Sequence, residues 1–281
     1  MSNAISRLAG LVSIGDNVVD HYIDQQVYYP GGNALNVAVL ARRFGLGDVT
    51  YIGLIGDDEE GSHVHSCLVA EGLSDTHLRQ AKGETGKAAV NIVDGDRVFI
   101  GSNEGGVRKR LMLRMDVDDI DLISRVGHVH SSCFSYIEPE LPRIRAASRE
   151  LSFDFSTGRD REYLAAICPL VTLAFFSGSD LSDGEADAFI REMHTFGATA
   201  VCVTQGERGA IFSEGGGRVT RQGIVQTKLV DTMGAGDAFI AGLLAARING
   251  ASLEPALAHA AASAAKACEW PGAFGHPHPA Q

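Results

Sequence analysis

Residues 231–237 read Asp-Thr-Met-Gly-Ala-Gly-Asp, and an apolar run over 238–248 follows at once. Small residues at 234–236 leave backbone N–H groups bare at the mouth of a helix, where donors lack intrahelical partners and the macrodipole is positive. Such a start holds an anion. A carboxylate just inside it, Asp237, is out of place unless it takes a proton from a group about to meet that anion. The same carboxylate would also satisfy a helix N-terminus with no chemistry at all. Taken alone, the motif leaves both readings open.

A second polar cluster, Pro30-Gly31-Gly32-Asn33-Ala34-Leu35-Asn36-Val37-Ala38, lies near the front of the chain. A Gly-Gly pair opening a helix lets a ligand approach the backbone, and the Asn33 and Asn36 amides both donate and accept toward hydroxyls. Upstream, Gly15-Asp16-Asn17-Val18-Val19-Asp20 ends a strand with two carboxylates, acceptors suited to a polyol. A helix cap and a strand-end turn use the same residue types. Three further signals fail. Gly83-Glu84-Thr85-Gly86-Lys87 is too short for a phosphate loop and has Ala88 where a magnesium-holding hydroxyl belongs; it reads as a turn before a hairpin. No G-x-G-x-x-G follows the first strand, so a dinucleotide site lacks its fingerprint. His63/His65 and His128/His130 have no third ligand nearby, and no metal ligand is assigned.

These clusters need a scaffold that gathers distant segments. Strand-like runs at 8–14, 49–54, 126–132, 151–155, 171–176 and 198–204 alternate with helical stretches. Residues 33–44 carry apolar side chains at 34, 37, 38, 41 and 44, a helical spacing stopped by Gly45; 60–71 form a helix closed by Gly72. Two Ala-rich helices start at Ala235 and Leu253. The alternation predicts an α/β fold, a mainly parallel sheet flanked by helices on both faces. Two β-rich pieces break the rhythm, 21–29 and a hairpin over 88–100 around Asp94-Gly95-Asp96. They predict a small β lid over the end where ligands bind in open α/β sheets.

Composition narrows the class. The 281 residues suit one domain, and the net charge of −11 opposes a nucleic-acid surface. The basic cluster Arg108-Lys109-Arg110 reads as a solvated edge. No stretch reaches the ~18–20 apolar residues of a membrane span. Five widely spaced cysteines read as free thiols in a reducing cytoplasm. Ser2-Asn3-Ala4 reads as a cloning remnant.

Five marks stand in order along the chain: Gly15-Asp16 with Asp20; Gly31-Gly32-Asn33-x-x-Asn36; Gly56-Asp57-Asp58-x-x-Gly61; Thr204-x-Gly206-x-x-Gly209; and Asp231-Thr232-x-Gly234-Ala235-Gly236-Asp237. With them the chain resembles the ribokinase/PfkB-type sugar kinases from about residue 11 to about residue 274. Asp96-Arg97-Val98-Phe99, Glu104-Gly105 and Phe153-Asp154-Phe155-Ser156 make it most similar to the fructoselysine/fructosamine 6-kinases. The resemblance implies a single ribokinase-like domain over 5–275, lid segments at about 20–30 and 86–102, and a disordered tail at 276–281.

It also implies an ATP-dependent transfer of the γ-phosphoryl group to a primary hydroxyl of a ketose or fructosamine. Asp237 draws the proton from that hydroxyl, and the N–H groups of Gly234, Ala235 and Gly236 hold the phosphoryl oxygens. Asp16, Asp20, Gly31, Gly32, Asn33, Asn36 and Glu104 hold the sugar; Thr204, Gly206, Gly209, Thr232 and His259 border the nucleotide. Magnesium accompanies ATP, a monovalent cation near Asp231 follows by analogy, and a homodimer through the lid sheet is the expected assembly. One departure bears on the metal: the family's N-x-x-E element is here Ser177-Gly178-Ser179-Asp180. Two rivals stay open. One is a kinase for another sugar such as ribose, or for a nucleoside whose base meets Tyr22, Tyr28, Tyr29 or Phe99; the other is a catalytically silent sugar-binding protein of the same fold.

Overall fold

Gly10–Gly15 (β1) is buried throughout, with Leu11 packed on one side of it and Val12 and Ile14 on the other. A strand apolar on both faces belongs inside a sheet covered twice. The computed structural model describes residues 9–93, 96–215 and 218–280. Further strands are β2 (Val18–Tyr22), β3 (Val27–Gly31), β4 (Asp48–Ile55), β5 (Leu78–Gln80), β6 (Lys87–Val93), β7 (Asp96–Ser102), β8 (His128–Ser132), β9 (Glu150–Asp154), β10 (Leu173–Ser177), β11 (Ala200–Thr204), β12 (Ala210–Glu214), β13 (Arg218–Gln222) and β14 (His278–Pro279). The helices are α1 (Asn33–Arg43), α2 (Glu59–Ala70), α3 (Val107–Arg110), α4 (Val117–Val126), α5 (Leu141–Ala147), α6 (Arg161–Ile167), α7 (Asp183–Thr195), α8 (Ala235–Ile248) and α9 (Leu253–Ala267).

Among the described residues the main sheet has nine strands, in the order β13-β12-β11-β10-β9-β8-β1-β4-β5. Every pair from β11 to β5 is parallel; β12 alone runs against the rest, antiparallel to both β11 and β13. One apolar cluster joins α1, α8 and α9 to one face, and a second joins α4 to α7 to the other. Because the strands run parallel, Gly15, Ser132, Asp154, Ser177 and Thr204 all end on one edge. That edge is where an open α/β sheet binds ligands.

A second sheet of five strands, β14-β3-β2-β6-β7, stands beside it. Its β6–β7 pairing is the expected hairpin; the turn at 94–95 lies outside the described residues, as do 5–8 at the front of the expected domain. The tail expectation is corrected. His278–Pro279 pairs with β3, Phe274 is buried, and His276 bonds Glu71 Oε1 at 2.5 Å. Pro279 sits in an edge strand, where a missing N–H costs no ladder bond. The β12–β13 hairpin was also missed, because its short runs are only half apolar.

Candidate active site

Asp237 lies in the first turn of α8, whose N-cap Gly234 has φ +72° and receives no side-chain cap. A Cβ at Gly234 would sit 2.6 Å from the Ala273 Cβ, so only glycine lets this loop seat tightly. The N–H groups of Gly234 and Gly236 make no hydrogen bond to any described residue, whereas Ala235 N–H donates to Thr232 O at 3.2 Å.

Helix α1 supplies the carboxylate's partners. Asn33 and Asn36, three residues apart on one face, donate through Nδ2 to Asp237 Oδ1 at 2.7 Å and to Oδ2 at 2.6 Å. Asn33 Nδ2 also donates to Asp154 Oδ2 at 2.9 Å, and Ser156 N–H holds Asp154 Oδ1 at 2.9 Å. Two carboxylates from different strands and helices thus share one amide. Enclosure by protein pushes Asp237 up to about 6, against the pull of the Asn36 and Asn33 amides. Burial likewise pushes Asp154 up to about 7; the Ser156 N–H opposes this and the Asp237 charge adds to it. Both residues keep part of their surface on a cavity while protein encloses their other sides.

That cavity, about 640 Å³, opens at the carboxyl edge of the main sheet. Asp16, at the end of β1, reaches it with a carboxylate fixed at Oδ1 by Ser132 Oγ (2.6 Å), Ser135 Oγ (2.9 Å) and Ala34 N (3.2 Å). Asn36 Oδ1 is buried and has no partner among the described residues. Phe99, Phe134 and Tyr136 form a half-exposed aromatic rim, with Lys87, Glu104, Arg108 and Lys109 between them.

A carboxylate lifted toward neutrality, set by two amides beside an unpaired helix-start N–H, can accept a proton next to a bound anion. The model of the pfkB family of carbohydrate kinases matches residues 10–279. The chain belongs to that family. It is 47% identical to the fructosamine kinase FrlD of Bacillus subtilis, over 96% of this chain and 94% of that protein. Against the fructoselysine 6-kinase of Escherichia coli the identity is 33%, over 94% and 99%. Its fold matches the Arabidopsis thaliana ribokinase complexed with ribose and ATP at a TM-score of 0.82, with 20% identity and 95% of each chain covered.

The family's ribokinase-like fold gathers most of the expected residues. Asp16, Asp20, Gly32, Asn33, Asn36, Glu104, Thr204, Gly236 and Asp237 all line the cavity. Others stand behind it. Gly31 is a packing residue: a Cβ there would meet Asp20 Oδ2 at 2.2 Å. Gly206 and Gly209 form the tight turn from β11 to β12, where Gly209 has φ +86°. Thr232, Gly234 and Ala235 seat the α8 entry without lining the cavity.

Several expectations are corrected. His259 lies outside the cavity, its Nε2 3.2 Å from Phe44 O, at the opposite end of α1 from Asn33. Arg108 is no solvated edge; it is buried, donates to Phe134 O at 2.8 Å and lies 5.9 Å from the Tyr136 ring centroid. Tyr22, Tyr28 and Tyr29 pack inside and do not line the cavity, which leaves Phe99 alone of the four aromatics weighed for a nucleoside base. The Asp231 carboxylate accepts from Tyr22 Oη (2.7 Å), Met233 N (2.9 Å) and Gly272 N (2.9 Å), so it staples β2, the α8 entry and the segment after α9. Asp180 is an exposed partner of Arg159, 3.7 Å away.

Sequence reasoning passed over Asp154, though it quoted the run that holds it, and read His130 only as half of a failed metal pair. The usable signal for Asp154 was its place at a parallel strand's carboxyl end, level with Asp16.

Proposed function

We propose that this carbohydrate kinase transfers the γ-phosphoryl group of ATP to the primary hydroxyl of a fructosamine, with Asp237 as the base. The observation that carries the reading is the Asp237 carboxylate, held by two amides beside the free Gly236 N–H in the cavity. Asp16 accepts from sugar hydroxyls and turns one of them toward Asp237. As the hydroxyl oxygen meets phosphorus, its proton passes to Asp237. In a loose transition state that transfer comes late, so positioning and the N–H dipoles at the start of α8 supply most of the acceleration. Above a pH of about 6 the base is ionised and competent.

Magnesium would neutralise the phosphates. The described residues offer no group of three metal-ligating side chains, which suits an ion held chiefly by phosphate oxygens and water. For a monovalent cation the Asp231 side chain, engaged by three donors, provides no built site.

The fructosamine choice rests on likeness to the Bacillus and Escherichia kinases and on the aromatic rim, which suits the aliphatic part of an amine substituent. The five-stranded sheet would act as a lid that excludes water from the transfer. Its edge strand β7 exposes Val98, Phe99 and Ile100, so a homodimer through this sheet is part of the proposal, measurable by light scattering. Five free cysteines support a cytoplasmic setting, and no helix among the described residues is long and apolar enough to cross a membrane.

ADP release measured over fructosyl-lysine, fructose, ribose and adenosine tests the function. Fructosyl-lysine should give the highest kcat/KM. A higher value for ribose or adenosine would reject the substrate class.

A further inference from the structure

His130, on β8, is fully buried and lies outside the cavity, yet it is bonded to the residue that orients the base. Its Nε2 is 2.9 Å from Asn33 Oδ1, and its Nδ1 is 2.9 Å from Ser152 Oγ. The donors and acceptors of this chain can be assigned without seeing a hydrogen. Both hydrogens of Asn33 Nδ2 are committed to carboxylates, those of Asp154 and Asp237. Asn33 Oδ1 is therefore the acceptor facing His130, and only a protonated Nε2 can bond it. Burial pushes His130 down to about 3, so the ring is neutral and carries one N–H. That hydrogen sits on Nε2; Nδ1 is bare and takes the hydroxyl hydrogen of Ser152. The alternative acceptor for that hydroxyl, Val129 O, is farther away at 3.1 Å.

The chain runs one way: Ser152 O–H to His130 Nδ1, His130 Nε2–H to Asn33 Oδ1, and Asn33 N–H groups to both carboxylates. We propose that His130 is a positioning residue for the kinase reaction, fixing the Asn33 amide in the one orientation that presents hydrogens, and not oxygen, to Asp237. With the amide turned over, its oxygen would face two carboxylates, and one carboxylate oxygen of Asp237 would lose its donor. The proposal rests on Asp237 being the base. No covalent or proton-transfer step passes through His130, whose ring lies outside the cavity.

The charged groups facing Asp237 are Asp154 from β9 and Asp16 from the end of β1; Asp16 also faces His130, beside the neutral Ser152 and Phe175. Neither Asp154 nor Asp16 changes in the variants proposed, so a moved pH profile reports the amide.

Two measurements test this. The first is the ¹⁵N spectrum of the wild-type histidines from pH 5 to 9, assigned with His130→Gln. His130 should show a protonated Nε2 and a bare Nδ1 throughout; a protonated Nδ1 overturns the proposal, whether or not the protein turns over. The second is steady-state ADP release with fructosyl-lysine. His130→Asn, which cannot place a donor at the Nε2 position, should lower kcat about tenfold to a hundredfold and leave KM for ATP unchanged. It should also move the acid limb of kcat/KM to higher pH. His130→Gln, whose amide nitrogen reaches that position, should recover most of the activity. Ser152→Ala should move the acid limb the same way by a smaller amount. Equal losses in the Asn and Gln variants with an unmoved acid limb, or wild-type kcat in His130→Asn, overturn the proposal. A wild type that phosphorylates no sugar rejects the function instead and leaves the tautomer result standing.

Discussion

Asp154→Asn should change stability with opposite signs at the two ends of the pH range. Asp154 is raised from 3.8 to about 7 in the folded protein, chiefly by burial. The folded state therefore holds this proton more tightly than the unfolded chain does. Wild-type stability from this group is present in full below about pH 4 and is lost as pH rises through about 7. At 1.36 kcal/mol per pKa unit, the gap corresponds to a cost of about 4 kcal/mol above pH 8, a ceiling because cavity water screens part of the carboxylate. Asparagine escapes that cost but has one acceptor where aspartate has two. Either Ser156 N–H or the Asn33 hydrogen then goes unpaired, which costs about 1–3 kcal/mol at every pH. The variant should be less stable than wild type at pH 4, more stable by about 1–3 kcal/mol at pH 8, and cross between about pH 4.5 and pH 6. Urea unfolding in small pH steps measures it. A difference that does not change with pH refutes the reasoning.

Gly31→Ala places a methyl group 2.2 Å from Asp20 Oδ2, so Asp20 must move; KM for the sugar should rise about tenfold with kcat much less affected, as initial rates would show. Asp231→Ala removes the common acceptor of Tyr22, Met233 and Gly272, and calorimetry should find Tm lower by about 6–12 °C. Phe99→Ser thins the cavity rim, and should raise KM for fructosyl-lysine several-fold while KM for fructose stays put.

Much of the site was legible because its chemistry is local. Asn33 and Asn36 announce themselves by a helical spacing behind Gly-Gly, and Asp237 by standing inside an uncapped helix start. The parallel sheet was legible too, since strands such as β1 and β10 are apolar on both faces. What the sequence hid depends on partners far along the chain. Asp154 and His130 are unremarkable in their own strands; each acquires a role only through Asn33, at separations of 121 and 97 residues. Arg108 looked solvated for a similar reason, because the carbonyl that holds it belongs to Phe134. His259 lies outside the cavity, by the far end of α1. A place on the right helix says nothing of which end of that helix faces the cavity.

The most direct test of the central claim is Asp237→Asn in single-turnover ADP formation with saturating ATP and fructosyl-lysine. The rate should fall at least about a hundredfold, with sugar affinity by calorimetry kept within about threefold and no acid limb near pH 6 in what remains. A variant that turns over at the wild-type rate, or that keeps that acid limb, would contradict the assignment of Asp237 as the base.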